Sequence, residues 1–197
     1  MSIRPVVMLA VLIAAPSAAS AGAASDIVKI FGRDPGMSAA HACFIRHYTK
    51  AHLASHPKQN VTDMVVYVGK GDSTDQYYSV NMQVNFRQLK KPFQVSGSCS
   101  AGDDGKKALS CGIDCDGGHI DVRVKNETSL LVEIPEYARI FDPSDLQTDE
   151  RADVPDKARF GADDKIFRVD RTDLKDCAPV IYDEAVKASV LQGVTTQ

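Results

Sequence analysis

Residues 111–119, CGIDCDGGH, place two cysteines, two aspartates and a histidine around a Gly-Gly pair. Thiolates and imidazoles are common zinc ligands, and carboxylates are common calcium ligands. The C-x3-C-x3-H spacing matches no common structural zinc motif, and the full aspartate-rich calcium loop is missing. A zinc or calcium site here is therefore the alternative to a disulfide-bonded hairpin. The candidate zinc ligands are Cys99, Cys111, Cys115 and His119. The candidate calcium ligands are Asp114, Asp116 and Asp121, with Asp103 and Asp104 on a neighbouring loop.

The histidines offer a second possible metal site. His52 and His56 are four residues apart and would share one face of a helix, and His41 could extend that stripe three turns earlier. Three imidazoles can bind a transition metal. We favour a polar segment without metal, in which Pro57 ends any helix near His56. The sequence contains no G-x-S-x-G, H-E-x-x-H or P-loop motif, so no catalytic residue is predicted and an enzyme is the less favoured class.

The N-terminus has the pattern of a secretory signal peptide. Arg4 precedes an apolar run at residues 6–15, and small residues follow up to Ala19-Ser20-Ala21. We predict a signal peptide of residues 1–21, with cleavage after position 23 or 24 as alternatives. A membrane anchor is disfavoured because about 20 apolar residues are needed to span a bilayer and Pro16 interrupts this run. The mature chain is predicted to lie in the periplasm or outside the cell, with no membrane span.

The five cysteines are best explained by disulfides in such an oxidising compartment. They are Cys43, Cys99, Cys111, Cys115 and Cys177. If residues 109–115 form a strand, Cys111 and Cys115 lie roughly 13 Å apart and cannot bond to each other. Cys99 lies on the facing strand, so a Cys99–Cys111 bond is predicted. Cys115 would then pair with Cys43 or Cys177, leaving one thiol over.

Alternating polar and apolar residues predict a mainly β fold. In residues 78–87, Tyr78, Val80, Met82, Val84 and Phe86 alternate with side chains expected in water, Asn81 among them. Similar runs predict about eight strands in an antiparallel up-and-down barrel, or else a β-sandwich, with minor helix. The β domain is assigned to residues 43–177, after a lead-in at 22–42 and before a tail at 178–197. Residues 142–165 form a long polar loop. Residues 37–57 fit either a helix or a first strand followed by a helical turn.

The strings LSCGIDCDGGHIDVRV, GADDKIFRVDRTDLKDC and AHLASHPKQNVT resemble a family of exported, uncharacterised proteins of alphaproteobacteria. The resemblance covers most of the mature chain. It implies export and a shared β-rich fold, and it implies nothing about chemistry or cofactors.

The charge of the chain excludes one further class of function. The net charge of −3 and the absence of a basic run argue against nucleic-acid binding. We therefore expect a non-enzymatic binding or structural protein without a cofactor, whose partner is a small ligand or an envelope protein. The contact is expected at the barrel mouth or on the long loop.

Export gives the first testable prediction. Protein recovered from the periplasmic fraction should begin near Gly22, because the small residues at positions 19 and 21 form the cleavage site. N-terminal sequencing measures this directly. An intact Met1 in the membrane pellet would contradict the prediction.

Overall fold

The computed structural model describes residues 18–72, 74, 77–102, 106–144 and 154–193. Eight antiparallel strands form a closed barrel in which each strand pairs with the next and β8 returns to β1. This confirms the mainly β prediction and favours the barrel over the sandwich. The strands are β1 (Ala40–His47), β2 (Val61–Lys70), β3 (Tyr77–Phe86), β4 (Phe93–Ala101), β5 (Leu109–Gly112), β6 (His119–Asn126), β7 (Ser129–Glu133) and β8 (Ile166–Arg171). The helices are α1 (Ala18–Phe31), α2 (Lys50–Ser55) and α3 (Glu184–Leu191), with a 3-10 helix at Leu174–Val180.

The barrel interior is filled by the apolar residues of the alternating strands. Successive side chains of a strand point to opposite faces, so every second residue enters the core. Fully buried side chains come from all eight strands, and the largest include Phe44, Met64, Met82, Phe93, Leu109, Ile120, Leu130 and Phe167. The interior of this barrel is therefore a packed core.

Helix α1 covers one end of the barrel. It contacts β1 and β6, which lie on nearly opposite sides of the ring. Ile30 is fully buried, and the Phe31 ring stacks on Tyr78 with centroids 6.2 Å apart. The Arg171 guanidinium donates to the carbonyls of Lys29 and Ile30 at 2.7 and 2.8 Å, near the C-terminus of the helix. These hydrogen bonds attach the helix to the last strand, β8.

Residues 154–165 cover the opposite end. The Phe160 ring contacts those of Phe86 and Phe167, with centroid distances of 5.9 and 6.1 Å. The buried Asp164 carboxylate accepts hydrogen bonds from the backbone N–H groups of Val61 and Gly161, among others. This part of the predicted polar loop is thus a plug with one aromatic side chain directed into the core.

The C-terminal segment packs on the outer face of β1–β3. Cys177 is bonded to Cys43 on β1, and Val180 and Ile181 pack against Tyr67 in a second apolar cluster. Asn81 donates to the Val180 carbonyl at 3.0 Å. The sequence placed Asn81 in water, but this segment covers it and leaves it 5% exposed. The alternation identified the correct face of the strand, and the segment that covers it comes from 99 residues further along the chain.

The cysteines follow the prediction in one bond and depart from it in another. Cys99 faces Cys111 in the β4–β5 register and is bonded to it, as predicted. Cys115 is an exposed free thiol, so its expected pairing with Cys43 or Cys177 is wrong. Strand β5 ends at Gly112, and Cys115 lies in the following turn with φ 57°. The predicted strand, which ended at position 115, is therefore too long, because the turn begins after Gly112.

Residues 37–57 adopt the second of their two predicted structures, a first strand followed by the short helix α2. The predicted n-region, the apolar run at 6–15, Asp103, Asp104, loop residues 145–153 and tail residues 194–197 lie outside the described residues. Among the helices that are described, none combines the length and the apolar character needed to cross a bilayer.

The two disulfides should contribute unequally to stability. They join residues 134 and 12 positions apart, which corresponds to about 5 and about 3 kcal/mol in the chain-entropy model. We expect Cys43→Ser/Cys177→Ser to lower the free energy of unfolding more than Cys99→Ser/Cys111→Ser does, as measured by urea denaturation. Non-reducing peptide mapping should find both bonds in the parent protein. A larger loss for the second pair would contradict this ranking.

Candidate functional site

Several groups of the turn that first suggested a metal site are engaged in other ways. Cys99 and Cys111 form a disulfide and so supply no thiolate, while Asp114 and Asp116 are exposed in the turn. His119 contacts Asp121 through Nε2 at 2.7 Å. Burial disfavours the charged form of Asp121, but hydrogen bonds from Lys107 and His119 hold the pKa of this carboxyl below its usual range. Asp121 therefore belongs to an ion-pair cluster on the outer face of β6.

The histidines do not form the stripe considered above as an alternative. His41 lies on β1, whereas His52 is on α2 and His56 caps the C-terminus of that helix. His52 and His56 stack with ring centroids 4.2 Å apart, and His52 Nε2 lies 3.0 Å from Gln59 Oε1. His41 therefore does not share a helical face with His52 and His56. Within the described part of the chain, no group of three or more His, Cys, Asp or Glu side chains is placed to hold a metal ion.

A groove of about 310 Å³ lies on the outer face of the barrel, between α3 and strands β1–β3. Its lining is mainly aromatic and small residues from the ends of the three strands. These residues are His41, Tyr67, Gly69, Lys70, Gly71, Tyr77, Tyr78 and Ser79, with Asp183 and Val186 from the C-terminal segment. The volume is at the lower end of the range for small-molecule sites.

Gly69 allows the floor of the groove to form. A Cβ atom at this position would lie 2.8 Å from the Tyr67 ring and 2.9 Å from Ser79 Oγ, which is closer than such contacts occur. The Tyr67 ring therefore lies directly over the backbone at Gly69. Cross-packing of an aromatic ring over a strand glycine compensates for the side chain that glycine lacks.

His41 and Tyr67 form a neutral hydrogen-bonded pair in the groove. Tyr67 OH lies 2.7 Å from His41 Nδ1, and the rings are nearly parallel. Burial lowers the pKa of His41, against the opposing effect of Asp183, and burial raises the pKa of Tyr67 to about 12. At neutral pH both rings are uncharged. When the Tyr67 hydroxyl donates to Nδ1, the imidazole presents Nε2–H as a hydrogen-bond donor.

The C-terminal segment forms the second wall. Asp183 caps α3 by accepting hydrogen bonds from Ala185 N and Val186 N at 2.9 and 3.0 Å. Tyr182 donates to Gln94 Oε1 at 3.0 Å and fixes the chain just before this cap. The charged Lys70 is engaged elsewhere, with its Nζ near the carbonyls of Ser38 and Gly71. The groove therefore offers aromatic surface and neutral hydrogen-bonding groups, beside one ammonium and one carboxylate that are each engaged within the protein.

Comparison with models of known protein families, with curated proteins and with solved structures gives no match. The function must therefore be inferred from the geometry of the site.

Sequence reasoning missed this groove. It considered His41 only with His52 and His56, and it assigned no role to Tyr67, Gly69 or Tyr77. The available signal was the pair Tyr67-x-Gly69 within an otherwise regular strand, since an interior strand glycine often marks a close backbone approach. The wall supplied by Asp183 had no signal in the sequence.

The environment of His41 gives a prediction for pH dependence. Burial lowers the pKa of His41 in the folded protein. On acidification, His41 is therefore protonated near pH 6.5 in the unfolded chain but only at a lower pH in the folded protein. The free energy of unfolding of the parent protein should therefore fall, relative to that of His41→Gln, as pH decreases below about 6.5. Denaturation at several pH values measures this difference. An NMR titration midpoint for His41 above 6.5 would contradict it.

Proposed function

We propose that the chain is an exported binding protein that holds a small, neutral, planar molecule in the groove between α3 and β1–β3. The observation that carries the proposal is the neutral His41–Tyr67 pair on a floor built over Gly69. Aromatic rings favour stacking with a planar apolar ligand, and the imidazole and Ser79 supply hydrogen bonds at its edge.

The packed interior supports a site on the outer surface. Ligand-binding barrels of eight strands hold their ligand inside. Here the interior is occupied by buried side chains, and both ends, where we had expected contact, are covered by α1 and by residues 154–165. The outer groove is open to solvent and retains unfilled volume.

Binding is favoured over catalysis because the His41–Tyr67 pair can hold a ligand by hydrogen bonds but lacks an ionised nucleophile. A pKa of about 12 keeps Tyr67 protonated at neutral pH, so no phenolate nucleophile is present. Two disulfides support export, because such bonds persist in oxidising compartments. The side chains by which α1 packs, Ile27, Ile30 and Phe31, all follow the predicted cleavage point and would remain after processing.

A matched pair of glycine variants tests the groove. Gly69→Ala should displace Tyr67 from the floor and abolish binding, whereas Gly112→Ala has no atom within 4 Å of the new methyl group and should bind as the parent does. The measurement is a fragment screen of neutral aromatic compounds, followed by amide chemical shifts. A hit should shift groove amides in the parent protein and in Gly112→Ala only.

Two results would contradict the proposal. One is a screen in which no neutral aromatic compound shifts the groove amides of the folded parent protein. The other is a hit whose affinity is the same in Gly69→Ala, since the ligand would then bind elsewhere.

A further inference from the structure

A second cleft, of about 270 Å³, lies at the opposite end of β2 and is lined by four cationic side chains. They are Lys58, Arg87, Lys157 and Arg159. All four are exposed, and none forms an ion pair with any residue that the structure describes. The cleft and the groove are about 30 Å apart at the usual rise of a strand, so they are separate sites. Four positive charges without an ion-pair partner among the described residues make this cleft a cationic feature on a chain whose net charge is −3.

The backbone of the cleft is held in a fixed position. The Asn60 side-chain amide donates to the carbonyls of Lys157 and Arg159 at 2.8 and 2.7 Å. Asp164 accepts from Asn60 N and Gly161 N, both at 2.7 Å. A Cβ atom at Gly161 would lie 2.0 Å from the Lys58 carbonyl, so this close approach requires glycine. The two chain segments that carry the lysines are thereby locked together.

Arg87 is held in place by backbone carbonyls. Its Nε donates to the Gln59 carbonyl at 2.6 Å, and its Nη2 donates to the carbonyls of Leu53 and His56 at 2.6 and 2.8 Å. Its Nη1 has no hydrogen-bond partner within the described ranges and keeps two N–H donors. Ordering a long side chain before binding removes an entropic cost from the association.

The nearby carboxylates are engaged with backbone N–H groups. Asp163 Oδ2 lies 3.2 Å from the backbone nitrogen of Lys58, and buried Asp164 accepts from residues of β2 and of the loop. Neither forms an ion pair with a cation of the cleft. The positive charges are therefore available to a ligand that comes from solution.

We propose that this cleft binds a compact, multiply charged oxyanion of the phosphate class. A guanidinium with free N–H donors suits phosphate oxygens, and lysine ammonium groups contribute charge without demanding one geometry. The volume admits a diphosphate or the phosphate head of a larger molecule. The same chemistry could come from a soluble phosphate ester or from a lipid headgroup, which the experiment separates.

The experiment measures binding of inorganic pyrophosphate to the processed, disulfide-bonded protein. We expect saturable shifts of the amides of residues 57–60 and 157–161 that weaken as salt is added. Lys58→Gln/Lys157→Gln should reduce the affinity by about tenfold or more, since each lost contact is to a charged group. Both lysine side chains lack a partner among the described residues, so this variant should fold normally.

Lys125→Gln/Lys187→Gln is the matched control. It removes the same total charge from β6 and α3, far from the cleft, and should keep the parent affinity. Equal weakening in both double variants would overturn the proposal, because binding would then reflect net charge alone. Absence of saturable pyrophosphate binding by the folded parent protein would also overturn it.

Vesicles identify the source of the phosphate group. Cosedimentation with phosphatidylglycerol vesicles, absent with phosphatidylcholine and reversed by pyrophosphate, assigns the cleft to a lipid headgroup. Pyrophosphate binding without vesicle binding assigns it to a soluble phosphate. Vesicle binding that persists in Lys58→Gln/Lys157→Gln would count against the cleft as the membrane contact.

Discussion

The limited interior of a closed eight-stranded barrel is the constraint on which the rest of this structure depends. Such a barrel is just wide enough for its own side chains or for one small ligand. Here aromatic and aliphatic side chains from all eight strands fill it, including Phe44, Met82, Phe93 and Phe167. Because the described strands close into a ring, other segments can pack only at its two ends or on its outer face. Both candidate sites arise where such segments meet the barrel.

Each segment that covers the barrel needs partners for the polar groups that it buries. At one end Arg171 supplies donors to the last carbonyls of α1, and its guanidinium also lies over the Phe44 ring at 4.8 Å. At the other end Asp164 accepts from three backbone N–H groups. Burial raises the pKa of Asp164 despite these donors. Both side chains thus satisfy backbone groups that would otherwise lack a hydrogen-bond partner. Arg171 is a cation because its partners are carbonyls, and Asp164 is a carboxylate because its partners are N–H groups.

Features that depend on residues close together in the sequence could be predicted, whereas those that depend on distant residues could not. Alternation is local, so the strands and their inner faces, including Val80 and Met82, were predictable, and the facing register made Cys99–Cys111 predictable as well. Cys43–Cys177 was not predicted, because it joins β1 to a segment 134 residues away. The sequence gives no basic run, yet the fold brings Lys58 and Lys157 to one cleft. A contact between residues this far apart in the sequence leaves no periodic pattern in it.

The two sites differ in charge because they depend on different segments. The groove is walled by a C-terminal segment held through Cys43–Cys177 and through apolar contacts with Tyr67, and burial keeps its His41–Tyr67 pair neutral. The cleft is held by Asn60 and Asp164, and its cations remain in water, where a charged group needs no compensation. A neutral planar ligand and an oxyanion would therefore not compete. The Cys43–Cys177 bond thus helps to hold the wall of the groove, whereas hydrogen bonds hold the cleft.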